Sequence, residues 1–314
     1  MRKRPLGSTG IQVSEIAFGG VEIGMPYGIG KNEMPHPQES IGLLREAFAS
    51  GINFFDTARL YGQSEQLMGK AFSGIRNDIV LCTKCVHFKK DDGTIPKVKE
   101  LHRIVHQSLQ ESLAALQTDY IDVFMLHLAD LEILSNEDVL RIFSDLRTSG
   151  CVRTIGVSVY TAEETQYAIH SGAWDVIQLP FNLLNQQHGR YFRDAYELGI
   201  GIVVRSALMQ GLLSDGVSPS HEALQPVNER ILQYREIARA NQWGLAEMAT
   251  KFALDVPQVS AVLVGIDRMD YLQEALAVAN GKEMPAALHG ALASLAYETP
   301  DFINLHHWKQ QGWI

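Results

Sequence analysis

Asp56-Thr57-Ala58-Arg59-Leu60-Tyr61-Gly62-Gln63-Ser64-Glu65 decides how the rest of the chain is read. The apolar run Ile52-Asn53-Phe54-Phe55 precedes it and is short enough for a buried strand. Gln66-Leu67-Met68-Gly69-Lys70-Ala71-Phe72 follows and predicts a short helix with Ser64 at its N-cap. A carboxylate therefore stands at the carboxyl end of a strand, and a tyrosine lies on the loop beyond it. Two later apolar runs end in the same way. Asp78-Ile79-Val80-Leu81-Cys82-Thr83 stops at Lys84, and Tyr120-Ile121-Asp122-Val123-Phe124-Met125-Leu126 stops at His127. If these strands are parallel neighbours, Asp56, Tyr61, Lys84 and His127 gather at one mouth of one sheet. Those residue types suit a site that donates a proton.

Outward from this stretch, strand and helix alternate. On its amino side, turn residues in Leu6-Gly7-Ser8-Thr9-Gly10-Ile11-Gln12-Val13-Ser14 predict a small hairpin, and Ile16-Ala17-Phe18-Gly19-Gly20 the first buried strand. Residues 21–37, rich in Gly and Pro, predict an irregular loop, and a helix over 38–50 stops at Gly51. On the carboxyl side, helices are expected near 97–117, 137–149, 161–171, 188–198, 228–241, 245–254 and from 269. Strands are expected at Val152–Val157 ending on Ser158, at Asp175–Pro180, at Ile200–Val204 ending on Arg205-Ser206, and at Val259–Val264. Residues 214–226 break the rhythm as an inserted polar loop, and a segment with His306, His307, Trp308 and Trp313 closes the chain. Eight strand-helix units without a compositional break predict an α/β fold, a (β/α)8 TIM barrel. An N-terminal β-hairpin and a C-terminal loop over the mouth complete it, in one domain over 1–314. The alternative, a doubly wound open sheet, needs a helix directly after Gly19-Gly20-Val21-Glu22-Ile23-Gly24, where a loop is expected instead.

A net charge of −9 and a sequence pI near 5.7 argue against nucleic acid and anionic membranes as partners. No apolar run approaches the roughly 18 residues of a membrane span. The basic start Met1-Arg2-Lys3-Arg4-Pro5 leads into no apolar core, and three cysteines cannot all pair. A cytoplasmic setting is expected.

The ordered set Asp56-Thr57-Ala58, Tyr61-Gly62-Gln63-Ser64-Glu65, Lys84, His127 and Gly156-Val157-Ser158 resembles the aldo-keto reductase superfamily. The opening Leu6-Gly7-Ser8-Thr9-Gly10 with Val13-Ser14 is similar to its bacterial members, and Val262-Leu263-Val264-Gly265 loosely to the aldose and galactose dehydrogenase branch. The resemblance implies an NAD(P)-dependent oxidoreductase interconverting an aldehyde or ketone, or a sugar lactol, with its alcohol or lactone by hydride transfer. Tyr61 would be the proton donor, Lys84 its partner, Asp56 the carboxylate paired with that lysine, and His127 the residue orienting the carbonyl. A nearby ammonium lowers a phenol's pKa, so Lys84 is expected to bring Tyr61 down from about 10. The partner is a small-molecule carbonyl or sugar. A catalytically weak, nicotinamide-binding regulatory subunit is the alternative function.

The same resemblance implies cofactor contacts. Ser158 and Gln178 would hold the nicotinamide carboxamide. Val159 replaces a common asparagine, and Arg205 stands where an aromatic often stacks, with Ser206 and Leu208 after it. Gly211 falls on the pyrophosphate-side loop. Gly265, Asp267, Arg268 and Glu274 fall on the adenosine half, with Ala275 in place of a usual asparagine. The cofactor is NAD(H) or NADP(H). Asp267 leans the reading to NAD(H), because a carboxylate accepts a ribose hydroxyl and repels a phosphate, whereas Arg268 argues the other way. No metal is expected. Cys82 and Cys85 fit C-x-x-C, but residues three apart on a strand face opposite sides. Trp308 and Trp313 either cap the mouth or pack on helices. Gly24 to Tyr27, His87 and Phe88 are expected to line the substrate pocket with them.

Overall fold

Apolar runs of three to seven residues become strands because both of their faces find cover. The computed structural model describes residues 1–29, 33–90, 92–214, 221–281, 283–297, 299 and 304–314. Strands β1 (Lys3–Pro5) and β2 (Gln12–Ser14) form the expected antiparallel hairpin. The remaining strands are β3 (Ile16–Gly19), β4 (Phe54–Asp56), β5 (Val80–Lys84), β6 (Ile121–Leu126), β7 (Val152–Ser158), β8 (Val176–Pro180), β9 (Gly201–Arg205) and β10 (Val259–Gly265). They close into a parallel barrel in sequence order, with β10 returning to β3.

The helices are α1 (Val21–Gly24), α2 (Pro37–Ala49), α3 (Ser64–Ala71), α4 (Val98–Leu116), α5 (Leu131–Leu134), α6 (Glu137–Thr148) and α7 (Ala162–His170). After them come α8 (Phe192–Glu197), α9 (Gln225–Ala240), α10 (Leu245–Leu254), α11 (Met269–Asn280), α12 (Ala286–Ala293) and α13 (Leu305–Gln310). Alternation along each strand divides the core in two. Ala17, Phe54, Val80, Cys82, Val123, Met125, Val176, Val203 and Ala261 fill the barrel, with Leu6, Ile11 and Val13 of the hairpin plugging its amino end. Phe18, Phe55, Leu81, Phe124 and Ile177 face the helices. Cys82 thus points inward and Cys85 outward, as period-two geometry requires.

Several local details differ from expectation. Residues 21–24 form the short helix α1 instead of starting an irregular loop. Ser64 is the first residue of α3, not its cap, because its hydroxyl accepts from Thr57 Oγ1 at 2.8 Å. The helix expected near 188–198 is a 3-10 turn, Gln187–Tyr191, followed by α8. Part of the inserted loop, residues 215–220, lies outside the described residues, and α9 begins at Gln225 with proline in its first turn. Trp308 is fully buried, while Lys309 beside it sits 5.7 Å from the Tyr27 ring, which brings the C-terminal segment to the barrel mouth. No helix among the described residues is long and apolar enough to cross a membrane.

Candidate active site

Strand register sets the floor of the site. Asp56 pairs with Cys82, an inward residue, so Asp56 also points into the barrel. Lys84, two residues beyond Cys82, points the same way one layer higher. Their charges meet: Lys84 Nζ donates to Asp56 Oδ2 at 2.6 Å and to the Thr57 carbonyl at 2.9 Å. The other carboxylate oxygen, Oδ1, accepts from Gln178 Nε2 of β8 at 2.8 Å. All three side chains are buried. Such a pair survives without water because each charge finds its partner and further hydrogen bonds.

The loop carrying Tyr61 is pinned from several sides, which accounts for much of the opening motif. Arg59 pairs with buried Glu65, and Glu65 Oε1 accepts from Thr83 Oγ1 at 2.7 Å. Gly62 has φ +53°, and a Cβ there would stand 2.1 Å from the Gly24 carbonyl. Gly24 in turn leaves room for the Tyr61 carbonyl, which a Cβ would meet at 2.0 Å. Only glycines let α1 and this loop touch. Tyr61 then lies with its ring centroid 4.8 Å from Lys84 Nζ and edge-on to the His127 ring at 5.3 Å.

Burial decides the protonation states. It pushes the Tyr61 phenol above its ordinary value of 10.0, and Lys84 only partly offsets this. The expected fall is therefore reversed: the desolvation of a phenolate outweighs the attraction of one ammonium that Asp56 already neutralises. Burial works against the Lys84 charge too, but Asp56 overcomes it and holds the ammonium above its usual range. His127 is lowered to about 2 by burial, with Lys84, His87 and Arg205 adding to the effect. It is a neutral imidazole at any ordinary pH, with one donor and one acceptor nitrogen.

Above this floor lies a cavity of about 590 Å³. Asp56, Tyr61, His127, Ser158, Gln178, Arg205, Ser206, Leu208, Gly211, Gly265 and Glu274 line it, whereas Lys84 lies behind Asp56 and Tyr61. Asp267 and Arg268 are not among the lining residues. Arg268 is exposed and lays its guanidinium over the Tyr271 ring at 4.0 Å. Of the expected substrate wall, Tyr27 lines the cavity, while Gly24, His87, Phe88 and Trp308 do not.

Arg205 is held in a defined place. Nη2 donates to the Val159 carbonyl at 2.9 Å, Nη1 to Ser206 Oγ at 3.3 Å, and the guanidinium covers the Tyr160 ring at 4.1 Å. The loop beyond it is contorted: Ser206, Met209 and Gln210 have positive φ although none is glycine. Such left-handed residues turn backbone N–H groups into a concavity suited to anions. Sequence reasoning did not find Glu22, Tyr160, Gln210, Glu247 or Tyr271, all in the lining. Glu22 approaches β10 because Gly265 has no Cβ, which would stand 2.2 Å from its Oε1. Only the tyrosine two residues after Ser158 had a positional signal.

The residues fit a nicotinamide dinucleotide. His127 Nδ1, Arg205 Nε and Gln210 Oε1 are buried with no hydrogen-bond partner among the described residues, and all three side chains line the cavity. Buried polar atoms in a native protein normally have partners, so these fit a polar ligand.

Known proteins point the same way. A sequence model of the aldo/keto reductase family matches residues 15–296. L-galactose dehydrogenase of Arabidopsis thaliana is 28% identical over 296 residues, covering 87% of this chain and 86% of its own. NADH-specific methylglyoxal reductase of Escherichia coli is 26% identical over 308 residues, covering 89% and 94%. Among solved structures, the holo form of an aldo-keto reductase from Bacillus halodurans superposes with a TM-score of 0.82 at 26% identity, covering 98% of this chain and 99% of that one.

Proposed function

The chain belongs to the aldo/keto reductase family, and from that premise we propose that Tyr61 is the acid-base group of an NAD(P)-dependent carbonyl reduction. The buried Asp56–Lys84 pair beside Tyr61 carries this reading, since it supplies fixed positive charge next to a phenol that keeps its proton at neutral pH. A bound nicotinamide dinucleotide supplies or accepts the hydride.

The substrate's carbonyl oxygen sits between the Tyr61 hydroxyl and the neutral His127 ring. Tyr61 gives its proton to that oxygen as alkoxide charge develops, and the Lys84 ammonium stabilises the phenolate left behind. Asp56 keeps Lys84 charged and in place. His127, being neutral, donates one hydrogen bond to the same oxygen without competing for the proton. In the reverse direction Tyr61 accepts the proton of an alcohol or a lactol. Ser158 and Gln178 take the carboxamide, Arg205 with Ser206, Leu208 and Gly211 the central phosphates, and Gly265 and Glu274 the adenosine end. The cofactor is NAD(H), because the Glu247 and Glu274 carboxylates in the lining repel a 2′-phosphate. The same reading makes residues 1–314 one barrel domain, because the lining runs from Gly19 on β3 to Val278 on α11.

The substrate class is an aldehyde, a ketone or a sugar lactol. Tyr61→Phe keeps the ring and removes the proton. It should lower turnover of a broad carbonyl panel by on the order of 10² or more while cofactor affinity holds. Turnover by the variant at the parent rate would remove Tyr61 from the mechanism. A wild-type protein that binds dinucleotide yet turns over no carbonyl or sugar would favour the regulatory alternative.

A further inference from the structure

Gln178 reaches Asp56 from the far side of the barrel, since β8 lies four strands away from β4 in the closed order. Its carboxamide has two ends with different commitments. Nε2 donates to Asp56 Oδ1 at 2.8 Å, while Gln178 lines the cavity directly above. That is the one described hydrogen bond of the side chain, so the amide oxygen remains an unspent acceptor. We propose that Gln178 is a positioning residue for proton transfer: its amide N–H fixes the Asp56 carboxylate so that Oδ2 faces Lys84.

The geometry leaves Asp56 little alternative. The carboxylate is buried, and its two oxygens are divided between Lys84 on one side and Gln178 on the other. The Cys82 thiol, level with Asp56 on the neighbouring strand β5, also hydrogen-bonds Asp56, and burial holds it protonated. Lys84, Cys82 and Tyr61 are thus the ionisable groups that face this carboxylate, and Gln178 is the uncharged donor. Without that donor, Oδ1 is a buried acceptor left unmade. The carboxylate is then free to turn, and its hold on Lys84 weakens. The nicotinamide-side role given to Gln178 above concerns its oxygen. The link to Asp56 concerns its nitrogen, and it rests on the reading that Asp56 and Lys84 serve Tyr61.

Two substitutions separate these functions. Gln178→Met keeps length and removes both hydrogen-bonding ends. At saturating cofactor it should slow single-turnover hydride transfer about tenfold, and in an Asp56→Asn background it should slow it no further, as expected of one residue acting through another. Gln178→Glu places two carboxylates together. Its activity should be low at neutral pH and recover as pH falls, because one shared proton restores a donor to Asp56. The side-chain amide protons of Gln178 in the wild-type protein should exchange slowly with solvent by NMR, a readout independent of turnover and of any variant's folding. The inference is overturned if Gln178→Met changes only cofactor affinity, if Gln178→Glu shows no acid recovery, or if the wild-type amide exchanges like a free one. A Tyr61→Phe protein at full rate would instead overturn the reading on which it rests, so the two failures are distinguishable.

Discussion

The Tyr27 hydroxyl accepts a hydrogen bond from Gln210 Nε2 at 3.1 Å, joining the loop after β3 to the loop after β9 while both side chains line the cavity. Ile29 N donates to the Gln210 carbonyl at 3.3 Å and makes the same crossing through the backbone. Met209 and Gln210 keep left-handed φ values of 47° and 56°, a conformation that the surrounding contacts must hold. Tyr27→Phe removes one neutral hydrogen bond, worth about 0.5–1.5 kcal/mol, from this crossing. Cofactor release, followed by stopped-flow fluorescence, should quicken a few-fold while single-turnover hydride transfer stays unchanged. A slower hydride step with unchanged release would place Tyr27 against the substrate instead.

Arg205 carries a charge with no carboxylate partner among the described residues, and its Nε is buried without an acceptor. A charge held that way loses little entropy when an anion arrives. Arg205→Ala should weaken dinucleotide binding by about tenfold to a hundredfold, the range of one lost charge-assisted hydrogen bond. Arg205→Lys should recover only part of it, because an ammonium cannot lie flat on Tyr160 and donate sideways at once. Fluorescence titration checks both. An unchanged dissociation constant for Arg205→Ala would remove the residue from the cofactor site.

Two buried histidines make stability fall in acid. His127 is lowered to about 2 and His188 to about 3, in each case chiefly by burial. Both stay neutral in the folded chain while the unfolded chain takes up their protons below about 6.5. Their contribution is therefore complete above that pH and is lost as pH falls toward the folded values. Each should add a slope of roughly 1.4 kcal/mol per pH unit between about pH 6 and 3. His188 keeps a hydrogen bond between its Nδ1 and Thr165 Oγ1 at 2.7 Å, so His188→Gln preserves some of the packing. Thermal denaturation across pH 4 to 7 should show a shallower decline for that variant. An identical slope would mean that His188 is accessible to protons in the folded state.

The floor of the site was legible because three of the four catalytic candidates end an apolar run, and a run's end in a βα series marks one face of the barrel. Asp56, Lys84 and His127 followed from that rule alone. What escaped were contacts between residues far apart in sequence. Nothing near Gln178 indicates that its amide serves Asp56, 122 positions away. Nothing near Arg205 indicates that its guanidinium lies over Tyr160, a partner on another loop. The direction of the Tyr61 shift was missed for a different reason. Sequence names the neighbouring charge, whereas the cost of burying a phenolate depends on packing that only the folded chain supplies. Ser64 looked like a cap because its type favours that role, but Thr57 reached its hydroxyl first.

The proposed preference for NAD(H) rests on the charges that Glu247 and Glu274 bring to the part of the cavity lined by α10 and α11, with Thr250 and Tyr271 beside them. Two carboxylates stand there, and Arg205, at the carboxyl end of β9, is the one cation among the described lining residues. A 2′-phosphate, carrying roughly −1.5 to −2 charges, would enter a field of its own sign. A free 2′-hydroxyl can instead donate to a carboxylate, as in NAD-specific sites of other folds. Arg268 is the cation that could change this, but its guanidinium is stacked on the Tyr271 ring, and Arg268 itself is exposed and outside the lining. The ratio of kcat/KM should therefore favour NADH over NADPH by about tenfold or more, equal to one unfavourable contact of about 1.4 kcal/mol. Raising salt should narrow the gap, since screening weakens repulsion between accessible charges. Glu247→Gln with Glu274→Gln should narrow it further. A wild-type preference for NADPH that disappears in Arg268→Ala would show that this arginine leaves Tyr271 and turns to the ribose.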